Sequence, residues 1–191
     1  MKRHVIVPEP SRRIIYRWAW WVATGFGSGL LRPAPGTWGS LAALSVWVGL
    51  VALLHSLHLR PALFECLLAL SALLMVFASV IASGIVVRRT GSKDPSYVVS
   101  DEWAGMWLAL WPARRIVSYA IESGEWARAA AAVFAAFILF RMFDIWKPWP
   151  IGSLEKLPGG WGVTMDDVAA GVFAGLFVCG FLLVVEALVI L

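Results

Sequence analysis

Residues 61–87 read PALFECLLALSALLMVFASVIASGIVV. The stretch holds one acidic side chain, Glu65 near its start, and Arg88 and Arg89 follow it directly. As a helix it would extend about 40 Å, more than the roughly 30 Å of a bilayer's hydrocarbon core. The run therefore predicts a helix that crosses a membrane with some tilt. Two further apolar runs flank it at residues 38–59 and 168–191, each about the length of a span. A less regular pair lies between, at 103–111 and 127–143. The first of these is half a span long before Pro112, Arg114 and Arg115, which predicts a short or re-entrant helix buried against the others. The second is long enough to cross. Residues 14–22 are rich in Trp and interrupted by Arg17, the pattern of a helix lying at the interface. The first thirteen residues are polar, with Pro8 and Pro10, and contain no signal-peptide core. The expected fold is all-α: a polytopic membrane helical bundle of four to five membrane segments with an N-terminal interfacial helix. It reads as one domain over 1–191, residues 1–24 forming its N-terminal segment.

Composition agrees with this fold. Hydrophobic residues make up 60% of the chain and charged residues 15%, with a mean hydropathy of +0.78. Soluble domains run at about 45–50% and about 25%, so the excess apolar surface needs lipid to cover it. The net charge is +4, but the basic residues sit at the ends of apolar segments instead of in one patch. That excludes nucleic acid as partner and fits membrane topology and anionic lipid. If the middle pair forms a hairpin, the basic residues sort into two sets. Lys2, Arg3, Arg12, Arg13, Arg17, Arg32, Arg88, Arg89, Lys93, Arg141, Lys147 and Lys156 fall on one side. Arg60, Arg114, Arg115 and Arg128 fall on the other. The richer side is then cytoplasmic. Trp18, Trp20, Trp21, Trp38, Trp103, Trp146, Trp149 and Trp161 lie near boundaries on that side and read as interfacial anchors. Cys66 and Cys179 lie within apolar runs and read as small packing residues.

Five acids stand out: Asp101 with Glu102, Asp144, and Asp166 with Asp167. All abut apolar segments on the basic side, and Asp94 precedes them on that side. Carboxylates near a bilayer are costly unless paired or bound to a cation. Several carboxylates without a His or Cys cluster suit a hard ion, and Mg²⁺ prefers oxygen ligands beside a phosphate. The competing reading for the two pairs is stabilisation by a helix dipole, since acids in a first turn are favoured there. Asp144 ends an apolar run, where the dipole disfavours a negative charge. Arg141 and Lys147, three residues to either side, are its possible structural partners. Asp101 and Glu102 point about 100° apart on a helix, so one can ligate while the other orients water.

Two more elements share this side. GFGSGLLRPAPGTWGS at 25–40 combines Gly25, Gly27, Gly29 and Gly36 with Ser28, Thr37 and Ser40, and holds Arg32. A helix opening near Thr37 presents free N–H groups suited to a phosphate; the alternative is a turn capped by Thr or Ser. DIWKPWP at 144–150 sets Lys147 among prolines and tryptophans, as a phosphate contact or as a snorkelling anchor.

These residues resemble the phosphatidylglycerophosphatase A family of bacterial membrane phosphatases. The blocks that carry the resemblance are GFGSGLLRPAPGTWGS at 25–40, DPSYVVSDEWAGMW at 94–107, FRMFDIWKPWPI at 140–151 and GGWGVTMDDVAAG at 159–171, in the family's order. Ser96 stands where Gly is expected after Asp-Pro, and Ser100 where an apolar or aromatic residue is common. The resemblance implies Mg²⁺-dependent hydrolysis of a membrane phospholipid, phosphatidylglycerophosphate, to phosphatidylglycerol and phosphate at the cytoplasmic face of the inner membrane. It implies functional positions at Thr37, Asp94, Asp101, Glu102, Arg141, Asp144, Lys147, Asp166 and Asp167. The roles expected here are Mg²⁺ ligands among Asp101, Glu102, Asp144, Asp166 and Asp167, and Glu102 or Asp94 as base. Arg141, Lys147 and Arg32, with Gly36, Thr37 and Ser40, are expected to bind phosphate. Neither Cys has an Arg five or six residues on, and no Asp-x-Asp pair exists, so covalent phosphoenzyme routes fit poorly. The alternative is a small ion or solute transporter with a carboxylate cation site, which predicts a polar path across the bundle.

Overall fold

The computed structural model describes residues 14–93 and 95–190, with side chains up to Val184. Its helices are α1 (Ile14–Ala23), α2 (Pro35–Ser56), α3 (Pro61–Thr90), α4 (Ser100–Leu110), α5 (Arg114–Ser123), α6 (Trp126–Trp146), α7 (Ile151–Leu154) and α8 (Gly160–Ile190). Short 3₁₀ turns stand at Ser28–Leu30 and Trp111–Ala113. No strand occurs among the described residues. Pro35 and Pro61 open α2 and α3, where a missing N–H costs nothing and a fixed φ favours the helix.

Four helices are long and apolar enough to cross a membrane: α2, α3, α6 and α8 over Gly160–Val184. The chain is a polytopic helical membrane protein. The starts of α2, α4 and α8 and the ends of α3 and α6 share one end of the bundle. The end of α2, the start of α3 and most of α5 share the opposite end. There Arg114 Nε donates to Glu65 at 2.7 Å, and His55 faces Glu122 at 3.3 Å.

The predicted short helix is α4, the middle of the bundle. It packs against α2, α3, α6 and α8, and nine of its eleven residues are buried. At about 16 Å it cannot span, but protein surrounds it in place of lipid. Its seam with α8 depends on missing side chains. A Cβ on Gly171 would stand 2.1 Å from the Gly105 carbonyl oxygen, and one on Gly105 would stand 2.4 Å from that of Asp167. Small residues on facing helices let backbones approach this closely. Buried hydroxyls add a second tie. Ser79 Oγ on α3 donates to Ser100 Oγ on α4 at 3.1 Å and lies 2.9 Å from Thr164 Oγ1 on α8.

Three expectations change. Helix α8 starts at Gly160, eight residues before the apolar run predicted at 168. The segment GGWGVTM has poor helix propensity, but Gly160 is held against α3, where its Cβ would meet the Val80 carbonyl at 1.9 Å. Trp20 and Trp103 are buried instead of interfacial, and Trp103 Nε1 donates to Ser28 Oγ. Trp18, Trp21, Trp38, Trp146, Trp149 and Trp161 are exposed. Cys66 and Cys179 face outward from the bundle. Helix α1 leans on α3 through Tyr16, whose ring lies 4.5 Å from the Arg89 guanidinium. Its other face exposes Ile14, Ile15, Trp18 and Trp21, which suits a helix at a lipid interface.

Candidate active site

A cavity of about 470 Å³ opens at the end of the bundle where α2, α4 and α8 begin and α3 and α6 finish. Six carboxylates line it: Asp101, Glu102, Asp144, Glu155, Asp166 and Asp167. Three cations face them: Lys93, Arg141 and Lys147. Carboxylates in such excess repel an incoming phosphate unless a further cation joins them.

Three of the acids are grouped closely enough that they could hold a metal ion. One carboxylate oxygen from each of Asp101, Glu102 and Asp167 lies within 4.8 Å of the other two. Opposite ligands of an octahedral Mg²⁺ stand about 4.2 Å apart, so the spacing is the right scale. Glu102 Oε2 is buried without a hydrogen-bond partner, a costly state for a carboxylate oxygen. The donors are all oxygen, as a hard ion prefers. Asp101 and Glu102 diverge along α4, yet both reach the group, because Asp167 approaches from the facing helix. Burial raises the Glu102 carboxyl above its ordinary range. Asp144 adds to the rise, and the Asp101 contact and the Arg141 charge oppose it without reversing it.

The helix-dipole reading separates the two acid pairs. Asp101 and Glu102 do stand in the first turn of α4. Asp166 and Asp167 lie in the second turn of α8, which has no acid in its first. Dipole stabilisation fades within one turn, so it does not account for them, though they are 3% and 4% exposed.

The remaining acids hold the cations. Asp144 Oδ2 lies 2.5 Å from Arg141 Nη1 one turn before it. Arg141 also reaches Ser40 Oγ at 3.4 Å, and Ser40 in turn donates to the Gly36 carbonyl at 2.9 Å. Lys147, a possible partner of Asp144 by spacing, pairs instead with Asp166 at 2.7 Å and with Glu155. Its φ of 46° turns the chain out of α6 and redirects the side chain. Burial alone would lower the Lys147 ammonium, but hydrogen bonds to Asp166 and Glu155 outweigh it and hold the group well above its ordinary value. Lys147 therefore stays charged throughout the physiological range.

The glycine-rich segment works mainly by letting chains meet. Gly29 packs on the Tyr97 carbonyl, where a Cβ would stand at 2.4 Å. Val99 N–H donates to the Ala23 carbonyl at 2.7 Å, fixing the approach to α4. Gly36 lines the cavity, and a Cβ there would lie 2.4 Å from Glu102 Oε1 and 3.3 Å from both terminal nitrogens of Arg141. Gly36→Ala is thus expected to displace the Glu102 carboxylate, a flexible chain end, without opening the bundle. Activity should fall about 10–100-fold with an unchanged thermal midpoint in detergent. A variant that keeps full activity would remove Gly36 from the site.

Of the expected site residues, Gly36, Asp101, Glu102, Arg141, Asp144, Lys147, Asp166 and Asp167 line the cavity. Arg32, Thr37 and Ser40 are not among its lining residues. Arg32 is exposed and Ser40 is buried behind Arg141. Thr37 is no helix cap, since α2 is preceded by Ala34 and has no side-chain cap. Asp94 lies outside the described residues. Lys93 and Glu155 join the cavity although neither stood out as a site residue. Their only signal was position, in short polar linkers beside the blocks that carry the acids.

Fold and site together define a class: a helical membrane protein with an acid-and-cation cavity at one end. Comparison with known proteins narrows it. The sequence model of the family described as Phosphatidylglycerophosphatase A matches residues 21–182. A phosphatidylglycerophosphatase A of Escherichia coli is 32% identical over 91% of this chain and 88% of its own length. One of Haemophilus influenzae is 37% identical over 82% of this chain and 84% of its own. A Bacteroides thetaiotaomicron protein, provisionally named a phosphatidylinositol-3-phosphatase, is 39% identical over 82% of this chain and 89% of its own. No solved structure matches the chain. The chain belongs to the phosphatidylglycerophosphatase A family and is a phosphatase.

Proposed function

We propose that the chain, as one membrane-embedded domain, hydrolyses the terminal phosphate of phosphatidylglycerophosphate to phosphatidylglycerol and inorganic phosphate. The observation that carries this reading is the Asp101–Glu102–Asp167 group beside Arg141 and Lys147 in one cavity, in a chain of this family. Asp101, Glu102 and Asp167 would hold a Mg²⁺, which when bound neutralises phosphate charge and assists attack by water.

The chain's own residues do the rest. Arg141, braced by Asp144 and Ser40, and Lys147 offset the charge on the phosphoryl oxygens. The first N–H groups of α2, at Gly36 and Thr37, add donors at the same end. Glu102, whose Oε2 is buried without a hydrogen-bond partner, accepts the proton of the attacking water, with Asp94 as the alternative base. The departing glycerol oxygen takes up a proton as its bond to phosphorus breaks. Among the described basic residues, Arg17, Arg32, Arg88, Arg89, Lys93, Arg141, Lys147 and Lys156 belong to the cavity end. Arg60, Arg114, Arg115 and Arg128 belong to the other. That bias supports a cavity that faces the cytoplasm from the bacterial inner membrane.

The test is phosphate release by the purified chain in detergent micelles. Phosphatidylglycerophosphate is the substrate, with phosphatidylinositol 3-phosphate and a soluble phosphomonoester as comparison arms. Release is expected from phosphatidylglycerophosphate first. It should be lost with a chelator and restored by Mg²⁺. Preference for the inositol lipid would replace the proposed substrate, and activity that survives exhaustive chelation would remove the metal.

A further inference from the structure

Glu155 stands outside every expected site residue, yet its carboxylate meets the Lys147 ammonium inside the cavity. Lys147 is shared between two acids of different character. The Asp166 side chain is 5% exposed and Glu155 is 49% exposed. An ammonium has three donors, and a half-exposed partner is held far less firmly than a buried one. Asp166 is therefore the standing partner and Glu155 the replaceable one.

The backbone brings Glu155 to this point on purpose-built contacts. Helix α7 is pinned by Ile151, which is fully buried. The chain that follows, residues 155–159, is exposed and crosses α8 at Gly162. A Cβ on Gly162 would stand 2.2 Å from the Leu157 carbonyl and 2.9 Å from that of Glu155. Asp166 lies one helical turn beyond Gly162, so this crossing sets Glu155 and Asp166 on either side of the ammonium.

We infer that Glu155 is a tethered stand-in for the substrate phosphate: its carboxylate occupies the phosphate's place on Lys147 and yields it when the lipid phosphate arrives. The inference rests on the reading that Lys147 binds the substrate phosphate. An oxyanion must then compete with a carboxylate of the chain itself, and a weakly held anion does not displace it. Glu155 acts through Lys147 and is a positioning residue.

The test uses the full chain in detergent micelles. It measures KM for the lipid and the inhibition constant of inorganic phosphate, for the unaltered chain, Glu155→Gln and Glu155→Ala. Removing the competitor should lower both constants about fivefold, the scale of a partly exposed ion pair. A residue that only supports the fold would weaken binding instead. General repulsion by the Glu155 charge is separated by repeating the change in a Lys147→Met background. There the proposal expects no further shift, because the contested seat is gone. Constants that rise or stay within twofold on Glu155→Gln overturn the inference, as does a shift of equal size in the Lys147→Met background. Either result leaves the proposed reaction standing, whereas an unaltered chain that releases no phosphate removes that reaction and the inference together.

Discussion

Asp167→Asn is expected to lower phosphate release about a thousandfold while raising the thermal midpoint of the metal-free protein. The two effects have one cause. Asp167 is 4% exposed and lies close enough to Asp144, Glu102 and Asp166 for their charges to repel. A buried charge among like charges costs stability unless a cation compensates it. Asn keeps the shape and removes the charge, so the empty fold gains. The same change removes one of the three carboxylate oxygens that could hold a metal ion. Several kcal/mol of transition-state stabilisation come from such an ion, and each factor of ten in rate is about 1.4 kcal/mol. Activity against the lipid and a melting curve in chelator check both halves. Full activity, or a lower midpoint, would mean that Asp167 serves the fold and not the reaction.

The second large effect concerns the fold itself. Gly171→Ala should destabilise the bundle severely, because the new Cβ would meet Gly105 backbone atoms at 2.1 and 2.7 Å. Neither is the end of a flexible side chain, so α4 and α8 must separate. Overpacking of this kind typically costs about 1–3 kcal/mol, occasionally more. The separation also pulls Asp101 and Glu102 on α4 away from Asp167 on α8. Activity should therefore collapse even where folded protein is recovered. Gly180→Ala is the control, since nothing stands within 4 Å of its Cβ position and Ala is the better helix former by up to about 1 kcal/mol. Equal behaviour of the two variants in yield and midpoint would show that the α4–α8 seam is not tight.

The spans were legible because a bilayer imposes a length and a polarity that any reader of the chain can count. Helix α3 begins at the predicted Pro61 and ends three residues beyond the predicted 87. The start of α8 was not legible. Its first eight residues are glycines and polar side chains interspersed with apolar ones, and their packing, Gly160 against α3 and Gly162 against the chain at 155–157, is tertiary. That extension moves Asp166 and Asp167 from the mouth of a helix into its second turn. The central place of α4 was half legible: its shortness marked it as unable to cross, but not as the helix the others surround.

The site divides the same way. Residue type and clustering pointed to Asp101, Glu102, Asp144, Asp166 and Asp167, because acids beside apolar helices are too costly to be idle. Their division of labour did not follow from spacing. Asp144 braces Arg141, Asp166 holds Lys147, and the other three group together. Spacing along one helix cannot say which acid a neighbouring helix will meet. Arg32 and Thr37 illustrate the converse, since their block packs largely against the approach to α4 and only Gly36 reaches Glu102.

By itself the sequence determined that this is a helical membrane protein, which end carries the basic residues, and which acids are out of place in an apolar chain. Those properties follow from composition and periodicity, which are local and additive. Only the tertiary structure decided that three of the acids face one another, that Lys147 turns away from Asp144, and that Glu155 belongs to the cavity. Those pairings depend on how closely α4 and α8 approach and where the chain crosses Gly162, distances set by side chains that are absent.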